Sequence, residues 1–399
     1  MLKVKNGKLV MGDIQKMNLY IQDGKIVDIT PEDIPCDQEI DAKGCYVCPG
    51  FIDTHVHGAA GFDFMDGGIE PMRQAARTHL LHGTTTICPT SMTSSYEDLK
   101  KMVLDYKKLS QESGKNGLPN FAGLHLEGPY IAPSQAGAQP PAYIYPPKPE
   151  EYMELLSIAE GHIRKWTFAP ELPGAVEFCD ALVKHDVIPS MGHTDGTYED
   201  VLHCYEHGAV WLTHFYSAMS TITRKDGFRV PGVIEAGYAI EGLNIEVIAD
   251  GCHVPHFLLS MLCKIKGTEH MVLITDAIRG MGLPEGTSWQ NAEGEEQLCV
   301  IMDGVAKLPK MGCFAGSVAS ADRLVRTMVQ QAGLPLPKAV SMITKNPARM
   351  LKLKNKGEIK LGFDADLVLL NEDLTTEMVI LGGNVVDHSD LEQSGYLNE

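Results

Sequence analysis

The sequence predicts an α/β protein, a (β/α)8 TIM-type barrel with a small β-sandwich domain built from both termini. Three observations predict it. Eight short apolar runs alternate with helix-like segments through the middle of the 399-residue chain. Turn-punctuated, strand-like stretches occupy both ends. Histidines and carboxylates fall at the C-terminal ends of several runs, which is the active face of such a barrel.

The first stretch, to about Cys48, reads as short strands separated by turns at Asn6-Gly7, Asp23-Gly24 and Lys43-Gly44. The style returns over 357–370 and 378–386, so residues 1–49 and 352–399 are expected to form the sandwich and 50–351 the barrel. The eight runs are 51–57, 84–89, 121–127, 165–170, 187–193, 210–214, 245–250 and 271–276. Helices are expected over 71–82, which opens on a proline and stops at Gly83, and over 174–185, 198–207 and 255–266. Two more follow the eighth run, over 320–332 and 337–351. An open, doubly wound sheet is the competing architecture; the placement of the polar residues at the ends of runs one, three, five, six and eight favours the barrel.

Bulk properties narrow the function classes. A net charge of -18 argues against nucleic acid and anionic membranes as partners, yet leaves a small anionic substrate open. No apolar stretch approaches the roughly 18 residues of a membrane span. The start of the chain, Met1-Leu2-Lys3-Val4-Lys5, lacks the apolar centre of a signal peptide. Ten scattered cysteines suit a reducing, cytoplasmic setting, and Cys45 and Cys48 read as structural thiols.

His55 and His57 alternate on the first run, so both imidazoles project to one side. A lone His-x-His is weak evidence. Here Glu127, His193, His214 and Asp276 end later runs, and together they can surround one or two divalent ions. Imidazoles with a carboxylate suit zinc or iron(II) and leave positions open for water and substrate. A carboxylate such as Asp276 beside that water can carry its proton to a leaving amine, which is the inventory of an amide or ester hydrolase. Bland readings exist for each residue: a loop histidine for His193 or His214, a helix cap for Asp276. An unpaired Glu127 at the end of an apolar strand is costly, which favours a ligand role. His125 fits a packing role as well as a chemical one; His79, His82, His203 and His207 read as packing or surface residues.

The ordered set of motifs resembles the amidohydrolase superfamily and, within it, the N-acetylglucosamine-6-phosphate deacetylase family. It comprises Pro49-Gly50-Phe51-Ile52-Asp53-Thr54-His55-Val56-His57-Gly58, Gly123-Leu124-His125-Leu126-Glu127-Gly128-Pro129, Gly192-His193-Thr194, Thr213-His214-Phe215, Asp250-Gly251-Cys252-His253, Thr275-Asp276-Ala277, Ala315-Gly316-Ser317 and Gly362-Phe363-Asp364-Ala365-Asp366. The resemblance implies a metal-dependent deacetylase that releases acetate from N-acetylglucosamine 6-phosphate. By it, Glu127, His193 and His214 hold the main metal, zinc or iron, and the retained His55 and His57 admit a second. Asp276 is then the general base, and His253 contacts substrate and helps polarise the acetyl carbonyl. It further implies phosphate contacts from Ala138, Ser217, Ala218 and Arg229, with Phe314, Ala315 and Gly316 lining the sugar. Arg229 matches an arginine that reaches the phosphate from a neighbouring subunit, hence an expected homodimer.

Two departures from the family pattern touch the pocket. Where relatives carry a Lys-Lys-Gly-Ala-His-like segment this chain reads Ser134-Gln135-Ala136-Gly137-Ala138-Gln139, and Asn-Ala-Met is replaced by Ser217-Ala218-Met219. They leave N-acetylgalactosamine 6-phosphate, an unphosphorylated N-acetyl sugar or an N-acyl amino acid open as the substrate. Arg279, just past Asp276, is a candidate to replace a lost phosphate contact. A non-catalytic scaffold of the same fold predicts gaps among the metal and base positions, and this chain has none.

Overall fold

The computed structural model describes residues 1–290 and 298–387; the end of the expected terminal stretch, 388–399, lies outside the described residues. The eight runs become eight parallel strands: β1 Phe51–Val56, β2 Thr84–Ser91, β3 Leu124–Glu127, β4 Ile163–Phe168, β5 Ile188–Met191, β6 Trp211–Leu212, β7 Asn244–Ile248 and β8 Met271–Ile274. Each pairs with the next in chain order. Just past β8 the ring closes on β1, where the Asp276 amide donates to the His55 carbonyl (3.0 Å) and the His57 amide to that of Ala277 (2.8 Å). Every residue of β1, β2, β3 and β8 is buried, as expected of strands covered on both faces. The barrel is therefore the architecture adopted, and the open sheet is not.

Helices α1 Ile69–Leu81, α2 Tyr96–Leu109, α3 Pro149–Ala159, α4 Ala175–Lys184, α5 Tyr198–Glu206, α6 Val233–Ala239 and α7 His256–Ile265 connect the strands. Local chemistry sets their starts. Ser95 Oγ accepts the Asp98 amide (3.2 Å) ahead of α2, and a reciprocal Thr197–Asp200 capping box opens α5. Helix α1 begins two residues before Pro71, after Gly68 at φ 77°, because proline is tolerated anywhere in the first turn. The expected helix 337–351 is broken: Leu336–Ile343 ends at Thr344 (φ −131°, ψ −79°) and Lys345–Met350 follows. A continuous helix would drive the Pro347 ring into the Ile343 carbonyl.

Two further differences bear on the site. Run 121–127 is split at Gly123 (φ 119°) into Asn120–Phe121 and β3. Between β8 and α8, Ala321–Gln330, lies an unforeseen antiparallel sheet of Ser288–Gln290, Leu298–Met302, Val305–Leu308 and Cys313–Gly316. Its last strand reaches the mouth of the barrel.

The two ends of the chain build the sandwich. One sheet runs Lys25–Thr30, Asn18–Gln22, Leu2–Lys5, Gln38–Asp41; in the other, Leu367–Leu370 pairs antiparallel with Tyr46–Pro49. Val4, Leu9, Leu19, Ile21, Leu367 and Leu369 share a core between them. Gly50 joins this sheet to β1. A Cβ there would stand 2.8 Å from the Cβ of Thr85, against a fully buried β2. Gly50→Ala is expected to cost about 1–3 kcal/mol in urea denaturation, the range for overpacking; an unchanged midpoint would show that the junction yields. All ten cysteines are free, Cys48 buried and Cys45 partly so. Among the described residues no helix is long and apolar enough to cross a membrane.

Candidate metal centre

The C-terminal ends of the strands bring six predicted residues together. Glu127 ends β3, His55 lies on β1, and His57, His193, His214 and Asp276 follow their strands by one or two residues. His193, His214 and Asp276 take left-handed backbone conformations (φ 48°, 32° and 47°), which turn each side chain back over the barrel mouth. For residues with a Cβ such angles are uncommon and cost of order 1–3 kcal/mol each, so the surrounding fold must impose them. Gly192 is one such constraint: a Cβ there would meet Thr213 Cβ at 2.8 Å and Thr167 at 3.1 Å.

Two donor groups share Glu127: His55 with His57, and His193 with His214. Nε2 of His193 and Nε2 of His214 are 3.1 Å apart, as are those of His55 and His57. Glu127 Oε1 lies 3.0 Å from His214, 3.3 Å from His55 and 3.4 Å from His193. Asp276 Oδ1 is 3.2 Å from His57 Nε2 and 3.3 Å from His55 Nε2. Paired imidazole nitrogens this close repel unless a proton or cation sits with them, and these separations match ligand atoms sharing an ion at about 2.0–2.2 Å. The donor set therefore fits a divalent metal.

The outer shell is arranged accordingly. His193 Nδ1 donates to the Gln135 carbonyl (2.7 Å) and His214 Nδ1 to that of Ser217 (3.2 Å). Since a carbonyl only accepts, Nδ1 carries the hydrogen and Nε2 is left with its lone pair facing Glu127. Gln139 is buried, donates to Glu127 Oε2 (2.7 Å) and accepts the Thr93 amide (2.7 Å), so both ends of its amide are assigned. It stands where the resemblance expects a histidine. His125 uses both ring nitrogens on threonines, Thr167 (2.7 Å) and Thr90 (3.3 Å), and acts as packing beneath the site.

Electrostatics point the same way. Burial favours a neutral ring at His55, but the Glu127 and Asp276 carboxylates outweigh it and hold the pKa up at about 9. The same opposition, with Asp276 closest, takes His57 to about 10. Burial pushes Glu127 and Asp276 upward, but the surrounding imidazoles hold Glu127 well below the carboxylate range and Asp276 at about 2. A metal entering here must displace the histidine protons, so its apparent affinity is expected to rise with pH up to about 9–10. Calorimetry in buffers of different ionisation enthalpy reads the released protons; affinity independent of pH would contradict the arrangement. In the metal-stripped chain both pKa values stand above the ordinary 6.5, so their stabilisation is full below about pH 6.5. It is lost as pH rises through 9–10, and the melting temperature should fall across that window.

A cavity of about 380 Å³ opens above the centre, walled by Ala138, Gln139, Ser217, Ala218, His253, Phe314, Ala315 and Gly316 together with His57, Glu127, His193, His214 and Asp276. His55 is buried behind this wall. His253 Nδ1 is held by buried Asp250 (2.8 Å), and its ring packs 4.9 Å from Phe314. Among the described residues no lysine or arginine lines the cavity. Arg229 lies on an exposed hairpin, Thr223–Lys225 with Phe228–Val230, outside the cavity of its own chain. Arg279 does not take up the phosphate role suggested for it: its guanidinium is held by Asp66 (2.7 Å), away from the cavity wall. Ser134 and Gln135 both donate to Asp195, which fastens the departed segment to the rim.

Sequence reasoning missed Gln139, Asp250, Lys165 and Glu246. The last two carried a signal, a charge inside an apolar strand, which is costly unless a partner lies across the barrel.

The comparisons with known proteins agree with this geometry. The family model described as the amidohydrolase family matches residues 46–386. An N-acetylglucosamine-6-phosphate deacetylase of Lysinibacillus sphaericus is 32% identical, covering 94% of each chain. An N-acetylgalactosamine-6-phosphate deacetylase of Escherichia coli O157:H7 is also 32% identical, over 94% of this chain and 96% of its own. The crystal structure of N-acetyl-D-glucosamine-6-phosphate deacetylase from Mycobacterium smegmatis superposes with a TM-score of 0.88 at 30% identity, covering 97% of this chain and all of that one (100%). With the family model spanning residues 46–386 and a relative 32% identical over 94% of its length, this chain belongs to the amidohydrolase family.

Proposed function

We propose that this chain is a metal-dependent deacetylase that hydrolyses the N-acetyl group of N-acetylglucosamine 6-phosphate to glucosamine 6-phosphate and acetate. The observation that carries the reading is Glu127 shared by two histidine pairs, with Asp276 Oδ1 poised 3.2 Å from His57 at the floor of a sugar-sized cavity. Glu127, His193 and His214 would hold zinc or iron(II), with His55 and His57 admitting a second ion beside Glu127. An ion held there would supply the chemistry of making water a nucleophile near neutral pH and polarising the acetyl carbonyl. Asp276 is a carboxylate throughout the neutral range, with a pKa of about 2. It accepts the proton of the attacking water and returns it to the amine nitrogen as the C–N bond breaks. His253, fixed through Nδ1 by Asp250, presents its other nitrogen to the acetyl oxygen. Phe314, Ala315 and Gly316 flank the sugar ring, and Ala138, Ser217 and Ala218 lie where the phosphate is expected.

Among the described residues no lysine or arginine lines the wall, so a guanidinium for a dianionic phosphate would come from elsewhere. The exposed Arg229 hairpin of a second copy would supply it, which supports a homodimer. We place the reaction in the cytoplasm.

The test is acetate release by metal-reconstituted protein with N-acetylglucosamine 6-phosphate, N-acetylglucosamine and N-acetylgalactosamine 6-phosphate in parallel. Turnover of the first well above the others supports the reading. Preference for the galacto epimer moves the substrate and implicates the 134–139 segment; no release from any of the three sinks the reading.

A further inference from the structure

Below the metal centre, inside the barrel, a charged pair has no place in the reaction described above. Glu246 on β7 and Lys165 on β4 are both wholly buried and paired through Glu246 Oε1. Thr54 Oγ1 donates to the same oxygen (2.8 Å), and the Lys165 ammonium stands 5.2 Å over the Trp211 ring. The other oxygen, Oε2, has no hydrogen-bond partner, and neither has Nδ1 of His55. These two atoms face each other at 3.5 Å.

A buried ion pair contributes little to stability compared with apolar residues of the same size, so stability alone does not account for it. An unpaired acceptor and an unpaired donor, both buried and directed at one another, do suggest an account. Of the other three histidines, His193 and His214 have Nδ1 anchored by main-chain carbonyls and His57 Nδ1 has no partner; the Nδ1 of His55 alone faces a carboxylate, that of Glu246.

We propose that Glu246, aimed by Lys165 and Thr54, is a positioning residue that accepts the Nδ1 hydrogen of His55 and so presents His55 Nε2 to an ion shared with His57 and Glu127. The pair thereby governs the second ion position and leaves the Glu127–His193–His214 position alone. This rests on the two-ion reading of the centre given above.

The experiment titrates cobalt(II) into the metal-stripped full-length chain, following d–d absorption and calorimetry. It compares wild type with Glu246→Gln and with Lys165→Met/Glu246→Leu, which removes both charges together so that no lysine is left unpaired. Wild type should take two ions per chain; both variants should keep the first at wild-type affinity and bind the second about 10–100-fold more weakly, the usual effect of losing an outer partner. A general loosening of the barrel would weaken both ions alike, and that result overturns the proposal. So does binding of two ions at wild-type affinity in the Glu246→Gln protein, which retains an oxygen for Thr54 and is the more conservative of the two for folding. A wild-type chain that takes a single ion refutes the two-ion reading itself, and the proposal with it.

Discussion

Asp276→Asn is expected to lower kcat by about 10²–10⁴-fold, the range for loss of a positioned general base, with KM within a few-fold of wild type. The amide keeps the shape and the left-handed backbone of the site but accepts no proton from water and has none to return to the amine. Because Asp276 Oδ1 approaches His55 and His57 but not His193 or His214 closely, the main ion should remain bound. Metal content and kcat measured on the same preparation separate the two effects. Activity within tenfold of wild type at full metal content would remove Asp276 from the proton-transfer role.

Glu127→Ala should have the broadest effect on metal binding, because this carboxylate is the one ligand common to both donor groups. Its Oε1 serves His55, His193 and His214, and its Oε2 faces His57 (3.4 Å) and Gln139. Truncation removes the negative charge about which the imidazoles converge and leaves the Gln139 amide without its acceptor. Affinity at both positions should fall by more than about 100-fold, beyond what loss of an outer partner costs, and acetate release should fall with it. Elemental analysis after dialysis gives the check; stoichiometric retention of either ion would show that the histidines suffice there. Replacing His55 should instead affect only the second position, so the two variants distinguish a shared ligand from a private one.

The same residues show how far the sequence is legible. His55 and His57 were readable as a pair because alternation along a strand is a local property, and Glu127, His193, His214 and Asp276 because each closes an apolar run. Strand–helix alternation repeated eight times is likewise local, and the barrel followed from it. The four-stranded sheet before α8 is hard to read from the sequence because its strands are only three to five residues long and half-exposed. The break at Thr344 needed attention to the proline three residues later. Arg279 looked available from its place beside Asp276, yet Asp66, 213 positions away in the chain, claims it.

By itself the sequence determined the barrel, the sandwich and the residues able to bind metal, since periodicity, turn residues and strand ends act over a few positions. Tertiary structure alone decided which of them converge on Glu127, that Gln139 donates to Glu127, and that Glu246 stands behind His55. Thr54 meets Glu246 across 192 positions and Lys165 meets it across 81. Such contacts depend on strand register and barrel closure rather than on any local pattern. The left-handed turns at His193, His214 and Asp276 belong to the same class, because their cost is met by packing from other strands.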